Sequence, residues 1–165
     1  MRITHPWEPV YDRRSAVLIL GSMPSPKSRE YGFYYGNPQN CFWETLAKVL
    51  AVKAPPPEIY ARKMFLLDNR IAVWDVLHSC DIVGAADSSI TNPVANRFAP
   101  LLDKTQIRRI FATGKTATRL FSKLCAEEAG MEAIYLPSTS PANRASQNKP
   151  SFFEQWEQIA HALQM

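Results

Sequence analysis

The residues best suited to chemistry lie in one short segment, Tyr34–Trp43, with the sequence YYGNPQNCFW. Tyr34 and Tyr35 offer flat aromatic faces, and the Asn and Gln residues after them offer amide groups that donate and accept hydrogen bonds. A ligand with a flat ring and a polar edge, such as a nucleobase, needs both kinds of contact. The alternative is structural, with the tyrosines covering the edge of a sheet and Asn40 capping the helix that follows.

Short apolar runs alternate with helix-like stretches along the chain, and these are the elements that would position the segment. Continuous runs rich in Val, Ile and Leu are typical of strands buried on both faces. The predicted strands are Ser15–Leu20, Ile71–Leu77, Ile107–Ala112 and Ala133–Leu136. The predicted helices are Asn40–Val52, Lys115–Ala129 and Ser151–Leu163, the last with a capping box of Ser151 and Glu154. This alternation predicts an α/β fold, with a parallel sheet and helices on both of its faces.

Three polar loops follow predicted strands, at Gly21–Gln39, Asp75–Asn92 and Ser138–Asn148. In an open parallel sheet, ligands bind in the crevice at the carboxyl ends of the strands. We therefore expect the three loops to share one crevice. Lys115, in the sequence TGKT, resembles a phosphate-binding lysine, but the upstream glycine of a P-loop is missing, which argues against nucleotide hydrolysis.

Composition restricts the class of protein. With 165 residues, of which 46% are hydrophobic, the chain can form one domain over residues 1–165. The formal net charge of +4 suits a polyanionic partner without establishing one. The three cysteines are far apart, with no CxxC pair and no histidine that would complete a zinc or iron–sulfur set, so we expect a reduced intracellular protein without a metal site. No apolar segment has the length of a signal or a membrane span, so we expect no membrane partner and a cytoplasmic location, beside the nucleoid in a bacterium.

Five segments, in this order, resemble the uracil-DNA glycosylase superfamily, and within it most closely the hypoxanthine-DNA (deoxyinosine) glycosylase branch. They are GSMPS at 21–25, YYGNPQNCFW at 34–43, VWDVL at 73–77, ATGK at 112–115 and LPSTSPANR at 136–144. The resemblance implies a three-layer α/β/α sandwich with a central four-stranded, mainly parallel sheet. It also implies a monofunctional glycosylase without a cofactor, which hydrolyses the N-glycosidic bond of a flipped, deaminated base. The implied partner is double-stranded DNA, with single-stranded DNA as a further candidate, and we expect a monomer.

The resemblance also assigns roles within the first two segments. Mismatch-type relatives have an Asn or Asp at the position of Met23, whose thioether can neither polarise water nor accept a strong hydrogen bond. In the hypoxanthine branch the essential side chain is the Asn of the N-x-F-W stretch, which makes Asn40 the candidate catalytic residue. The implied base-binding residues are Tyr35, which would stack on the base, Asp75, which would read its edge, and Gly21, Ser22 and Met23.

The last segment corresponds to the loop with which relatives enter the minor groove and clamp the phosphates. The wedge side chain usual in this loop is replaced here by Ala142, so extrusion must depend more on the weakness of the damaged base pair. The implied DNA-binding residues are Ser138, Thr139, Ser140, Pro141, Ala142, Asn143 and Arg144. Two alternatives stay open: a uracil or mismatch-specific glycosylase, and a DNA-binding relative without catalysis. Asn40, Tyr35 and the serine-rich segment argue against the second, whereas Met23 and Ala142 keep it open.

Overall fold

Seven strands form two sheets in the computed structural model, which describes residues 1–165. They are β1 (Arg2–Thr4), β2 (Val17–Gly21), β3 (Ile71–Asp75), β4 (Leu77–Asp81), β5 (Thr91–Ala95), β6 (Arg109–Thr113) and β7 (Ala133–Leu136). The central sheet has the order β3-β2-β6-β7, and all of its strands are parallel. Each of the four predicted strands contributes to this sheet, so the predicted four-stranded parallel sheet is confirmed.

Nine α-helices connect and cover the strands. They are α1 (Pro26–Tyr31), α2 (Phe42–Leu50), α3 (Ile59–Asp68), α4 (Ala99–Asp103), α5 (Lys115–Leu124), α6 (Ala126–Ala129), α7 (Arg144–Gln147), α8 (Pro150–Trp156) and α9 (Gln158–Leu163). No helix has the length and apolar character that crossing a membrane requires. α3 was not predicted, because its apolar residues do not form one stripe and only Leu66 is fully buried.

The side chains of β2 alternate between two hydrophobic clusters, one on each face of the central sheet. Val17 and Ile19 belong to the cluster that includes the buried side chains of α2, α8 and α9. Leu18 and Leu20 belong to the other cluster, with α4 and α5. All four are fully buried, and burying each such side chain stabilises the fold by about 1.5–3 kcal/mol. The predicted three-layer α/β/α arrangement is therefore confirmed.

A second sheet, which the sequence did not predict, is antiparallel and has the order β1-β4-β5. The predicted strand Ile71–Leu77 is wrong at its end, because the chain leaves the central sheet at Asp75 and enters the second sheet at Leu77. The intervening Val76 donates its backbone N–H to Gly21 at the end of β2. Val76 and Leu77 are both fully buried, so the apolar run continues across the change of sheet and conceals it.

Two predicted helices have different boundaries in the structure. Asn40–Val52 is shortened to α2, because Asn40 lies before the first turn and Ala51 ends the helix with a left-handed φ of 58°. Lys115–Ala129 is divided at Cys125, whose φ of −127° breaks the helix into α5 and α6. These boundaries matter for the site, since they leave Asn40 in a loop.

The predicted capping box at the last helix is wrong. Ser151 lies inside the first turn of α8, because Pro150 starts the helix one residue earlier. Proline is favoured at the first helical position, where its missing N–H costs nothing. The residue before it, Lys149, is extended and makes no side-chain cap. The predicted single helix is also divided at Glu157, between α8 and α9.

Candidate active site

A polar cavity of about 330 Å³ opens at the carboxyl ends of β2, β3 and β6. The three loops expected to share a crevice all contribute to it, and its volume is in the range of small-molecule sites. The predicted site residues that line it are Gly21, Ser22, Met23, Tyr35, Asn40, Asp75, Ser138, Thr139, Ser140, Pro141 and Ala142. Its other lining residues include Tyr34, Asn37, Asp87 and Thr113.

Register across the sheet places Asp75, Gly21 and Thr113 side by side at the floor of the cavity. Gly21 pairs with Asp75, and the pairing of Leu20 with Ala112 places Thr113 on the other side of Gly21. A Cβ atom on Gly21 would lie 2.6 Å from Asp75 Oδ1 and 3.4 Å from the Tyr35 hydroxyl oxygen. Because Gly21 has no side chain, a small recess, the notch, lies between the carboxylate of Asp75 and the hydroxyl of Tyr35.

The Tyr35 ring forms one wall. It stacks on the buried ring of Phe42 with centroids 3.8 Å apart and planes at 4°, so only its opposite face can meet a ligand. Its backbone has a left-handed φ of 51°, and its carbonyl accepts a hydrogen bond from Trp43 Nε1. Burial, and then the nearby Asp75, raise the pKa of Tyr35 against an opposing contact with Thr113, so its hydroxyl is a neutral donor. The contact with Thr113 does not have hydrogen-bond geometry, so the hydroxyl keeps its proton for a ligand.

The amide of Asn40 has a fixed orientation. Its Oδ1 accepts a hydrogen bond from the Phe42 N–H at 2.9 Å, and only an oxygen can accept there. The structural alternative considered from the sequence, a cap on the following helix, is wrong: Asn40 lies one residue before Cys41, the N-cap of α2, which makes no side-chain cap. The bond to Phe42 instead closes a turn ahead of the helix. Asn40 also lines the cavity, so this turn and a role toward a ligand are compatible.

The loop at 138–142 is held rigidly by its own hydrogen bonds. Ser138 Oγ accepts from the backbone N–H of Ser140, and Ser140 Oγ accepts from that of Ala142, so each hydroxyl keeps its own proton for a ligand. Thr139 is only 1% exposed. Its carbonyl accepts from the Cys41 N–H, which joins this loop to the segment that contains Asn40.

Asn143 and Arg144 were predicted to bind DNA, yet they do not line the cavity. Asn143 Nδ2 donates to the Ser138 carbonyl at 2.9 Å. Arg144 donates to the Gln39 carbonyl at 3.0 Å, which joins the two loops on either side of the cavity. In the structure these side chains support the loops, and contact with DNA stays a prediction for both.

Comparison with known proteins assigns the family. A family model described as the uracil DNA glycosylase superfamily matches residues 8–162. The chain belongs to this superfamily. It is 34% identical over 152 residues to a hypoxanthine DNA glycosylase of Methanosarcina acetivorans, covering 91% of this chain and 93% of that protein. A hypoxanthine DNA glycosylase of Methanosarcina barkeri is 32% identical over 139 residues, covering 84% and 87% of the two chains.

The fold agrees with the same family. The solution NMR structure of a Methanosarcina acetivorans protein, provisionally assigned as a uracil DNA glycosylase, matches with a TM-score of 0.81 at 30% identity. The match covers 100% of both chains. The resemblance identified from the five sequence segments is therefore confirmed.

Two polar residues of this glycosylase site were missed by the sequence interpretation. His5 Nε2 lies 2.7 Å from Asp75 Oδ2, and both side chains are buried. Asp87 lines the cavity and accepts a hydrogen bond from Ser22 Oγ at 3.0 Å. Asp87 lay within a loop predicted to border the crevice, whereas His5 gave no signal, because it is 70 residues from its partner. No three His, Cys, Asp or Glu side chains are grouped so that they could hold a metal ion.

Asp87 should make the fold pH-sensitive. Partial burial raises the pKa of Asp87 and the charge of Asp75 adds to the shift, against the opposing hydrogen bond from Ser22, although the residue as a whole is exposed. When the folded-state pKa of a carboxyl is raised, its ionisation destabilises the fold. This loss is absent at acid pH and complete once the pH exceeds the folded-state pKa. Because water screens an exposed carboxylate, we expect Asp87→Asn, which can still accept from Ser22, to raise Tm at pH 7 only slightly, with the gain shrinking as the pH approaches 4. Thermal unfolding across that range measures it.

The control is Asp103→Asn, an equally exposed carboxylate at the end of α4 that lies away from the cavity. It should change Tm little at any pH. A Tm gain for Asp87→Asn that did not vary with pH would contradict the electrostatic cause.

Proposed function

We propose that this protein is a monofunctional hypoxanthine-DNA glycosylase, which hydrolyses the N-glycosidic bond of a flipped deoxyinosine in base-excision repair. The observation that carries the proposal is the cavity itself, with a stacking wall at Tyr35 facing the same space as the free oxygen of Asp75. The two Methanosarcina relatives, both named hypoxanthine DNA glycosylases, support the choice of base.

Asp75 accounts for recognition of the base edge. Its Oδ2 is bound to His5, while its Oδ1 receives no hydrogen bond from the protein and faces the notch at Gly21. Hypoxanthine carries a hydrogen on N1, which this oxygen can accept, whereas adenine presents a lone pair there and would be repelled. A site built on a buried acceptor rejects a base that lacks the matching donor by a large factor. Uracil carries the equivalent N–H, so the same group admits it.

Hydrolysis of the N-glycosidic bond needs little proton transfer, because the sugar develops oxocarbenium character while the base leaves with negative charge. An amide is a poor general base, but the Nδ2 group of Asn40 can hold and orient the attacking water. The backbone N–H groups of Ser22 and Met23 donate to no protein atom and border the same cavity. They can bind the carbonyl oxygen of the departing base. One well-aimed donor of this kind stabilises the transition state by about 3 kcal/mol.

The partner in this proposal is double-stranded DNA, with single-stranded DNA as a further substrate. Ser138 and Ser140 keep hydroxyl protons that can bind phosphate, and Ala142 is too small to replace the extruded base. Extrusion then depends on the weakness of the damaged pair. We propose that the enzyme acts as a monomer with a single domain and works in the cytoplasm without a cofactor. The family match over residues 8–162 supports the single domain.

The test is an excision assay with labelled duplexes that contain one hypoxanthine, uracil or xanthine, followed by alkaline cleavage of abasic sites. We expect cleavage at hypoxanthine, with uracil as the second substrate because of its shared N–H edge. Release of uracil alone would favour a uracil-specific enzyme. Absence of cleavage on all three duplexes, with DNA binding retained, would leave the non-catalytic DNA-binding relative as the better description.

A further inference from the structure

His5 and Asp75 form a buried polar pair, and His5 has no role in the chemistry proposed above. Their side chains are 3% and 6% exposed, and His5 Nε2 lies 2.7 Å from Asp75 Oδ2. The imidazole is enclosed by the rings of Trp7 and Tyr34, with centroids 6.0 and 5.8 Å away. His5 also precedes residues 8–162, which match the family model, so it lies outside the part of the chain that defines the family.

The contacts around His5 bear on where its protons lie. Nδ1 is 2.9 Å from the Trp7 carbonyl oxygen, which can only accept, while the Trp7 backbone N–H approaches the same nitrogen at 3.3 Å as a donor. The two contacts require opposite states of Nδ1, and we infer from the shorter one that Nδ1 carries a proton. Nε2 faces the carboxylate of Asp75, which also accepts. With a proton on both nitrogens, the pair is an imidazolium and a carboxylate with no net charge.

A pair without net charge lets Asp75 bind the N–H of the base without repelling the negative charge that the departing base gains. A carboxylate is a good acceptor for the N–H of a 6-oxopurine, but the base gains negative charge as the glycosidic bond breaks. In a buried site an uncompensated carboxylate beside that charge would oppose the reaction. A cation bonded to the far oxygen of Asp75 removes the conflict and leaves the near oxygen free for the base.

We propose that His5 is a positioning residue of the glycosylase reaction, which holds Asp75 through Oδ2 and compensates its charge while the base departs. The inference rests on the proposed function of the cavity. It makes the N-terminal segment part of the active site, since the His5 backbone N–H donates to the His78 carbonyl and continues the pairing of β1 with β4.

Single-turnover kinetics with a hypoxanthine duplex test the proposal through His5→Gln and His5→Leu. Glutamine can still donate to Asp75 but carries no charge, and leucine does neither. We expect the maximal rate at saturating enzyme to fall by about 10–100-fold in both, with the half-saturating enzyme concentration changed less than about 3-fold. The matched control is His78→Gln, an exposed histidine on β4, which should keep the wild-type rate. A wild-type maximal rate in His5→Gln would overturn the charge role, and a change in half-saturation alone would overturn both roles.

Nitrogen-15 NMR of the wild-type imidazoles gives a readout that does not depend on activity. His5, assigned by its loss in either variant, should show two protonated nitrogens at neutral pH. An unprotonated Nδ1 would overturn the proposal. Failure of the wild-type protein to release any base would instead reject the proposed function, whatever the protonation of His5.

Discussion

Asn40→Ala should lower the rate of hypoxanthine release by at least about 100-fold while leaving affinity for the duplex nearly unchanged. The substitution removes the amide of a residue that lines the cavity, and the thioether of Met23, which lines it too, can neither polarise water nor accept a strong hydrogen bond in its place. Single-turnover excision and a fluorescence binding titration on the same duplex measure the two quantities. Loss of binding with an unchanged maximal rate would refute the catalytic role.

Asn40→Asp separates catalysis from local structure. A carboxylate oxygen of Asp can still accept from the Phe42 N–H, so the turn before α2 should be retained. The variant has no Nδ2 donors, so we expect a Tm close to that of the wild type and a loss of excision similar to that of Asn40→Ala. An active Asn40→Asp enzyme would reduce Asn40 to a structural residue. Asn40→Ala should lose about 1 kcal/mol of stability through the missing hydrogen bond.

The central sheet could be predicted because its strands are buried on both faces and therefore appear as continuous apolar runs. Ala133–Leu136 has the predicted bounds, and the bounds of the other three strands differ from the prediction by one or two residues at one or both ends. The same continuity concealed the passage from β3 to β4, since Val76 and Leu77 stay buried while the chain changes sheets. Apolar character reports burial, and it does not report which sheet a residue joins.

The loops of the site could be predicted to converge, because parallel strands bring their carboxyl ends to one edge. Which polar atoms face the cavity could not. Arg144 supports a neighbouring loop through the Gln39 carbonyl, and Thr139 is nearly enclosed. The pairing of His5 with Asp75 depends on the antiparallel sheet that carries the N-terminal segment past β4, and no local pattern marks it.

Gly21→Ala should abolish most activity through one added methyl group. Its Cβ would lie 2.6 Å from Asp75 Oδ1, closer than such contacts occur, so the carboxylate must move from the notch and from His5. Displacement of a substrate-positioning group by about 1 Å can cost about 100-fold in rate, and we expect a loss of that size for hypoxanthine. Overpacking should also cost about 1–3 kcal/mol of stability, which chemical denaturation measures.

The double variant Gly21→Ala/Asp75→Ala tests whether contact with the Asp75 carboxylate causes the loss of stability in Gly21→Ala. Removing the carboxylate makes room for the methyl group, so Gly21→Ala should cost much less stability in the Asp75→Ala background than in the wild type. An equal cost in both backgrounds would place the strain elsewhere, for example against the Tyr35 hydroxyl, the next atom that the added Cβ would approach. The size of the coupling therefore measures how tightly the carboxylate of Asp75, which we propose reads the base edge, is held against the backbone of β2.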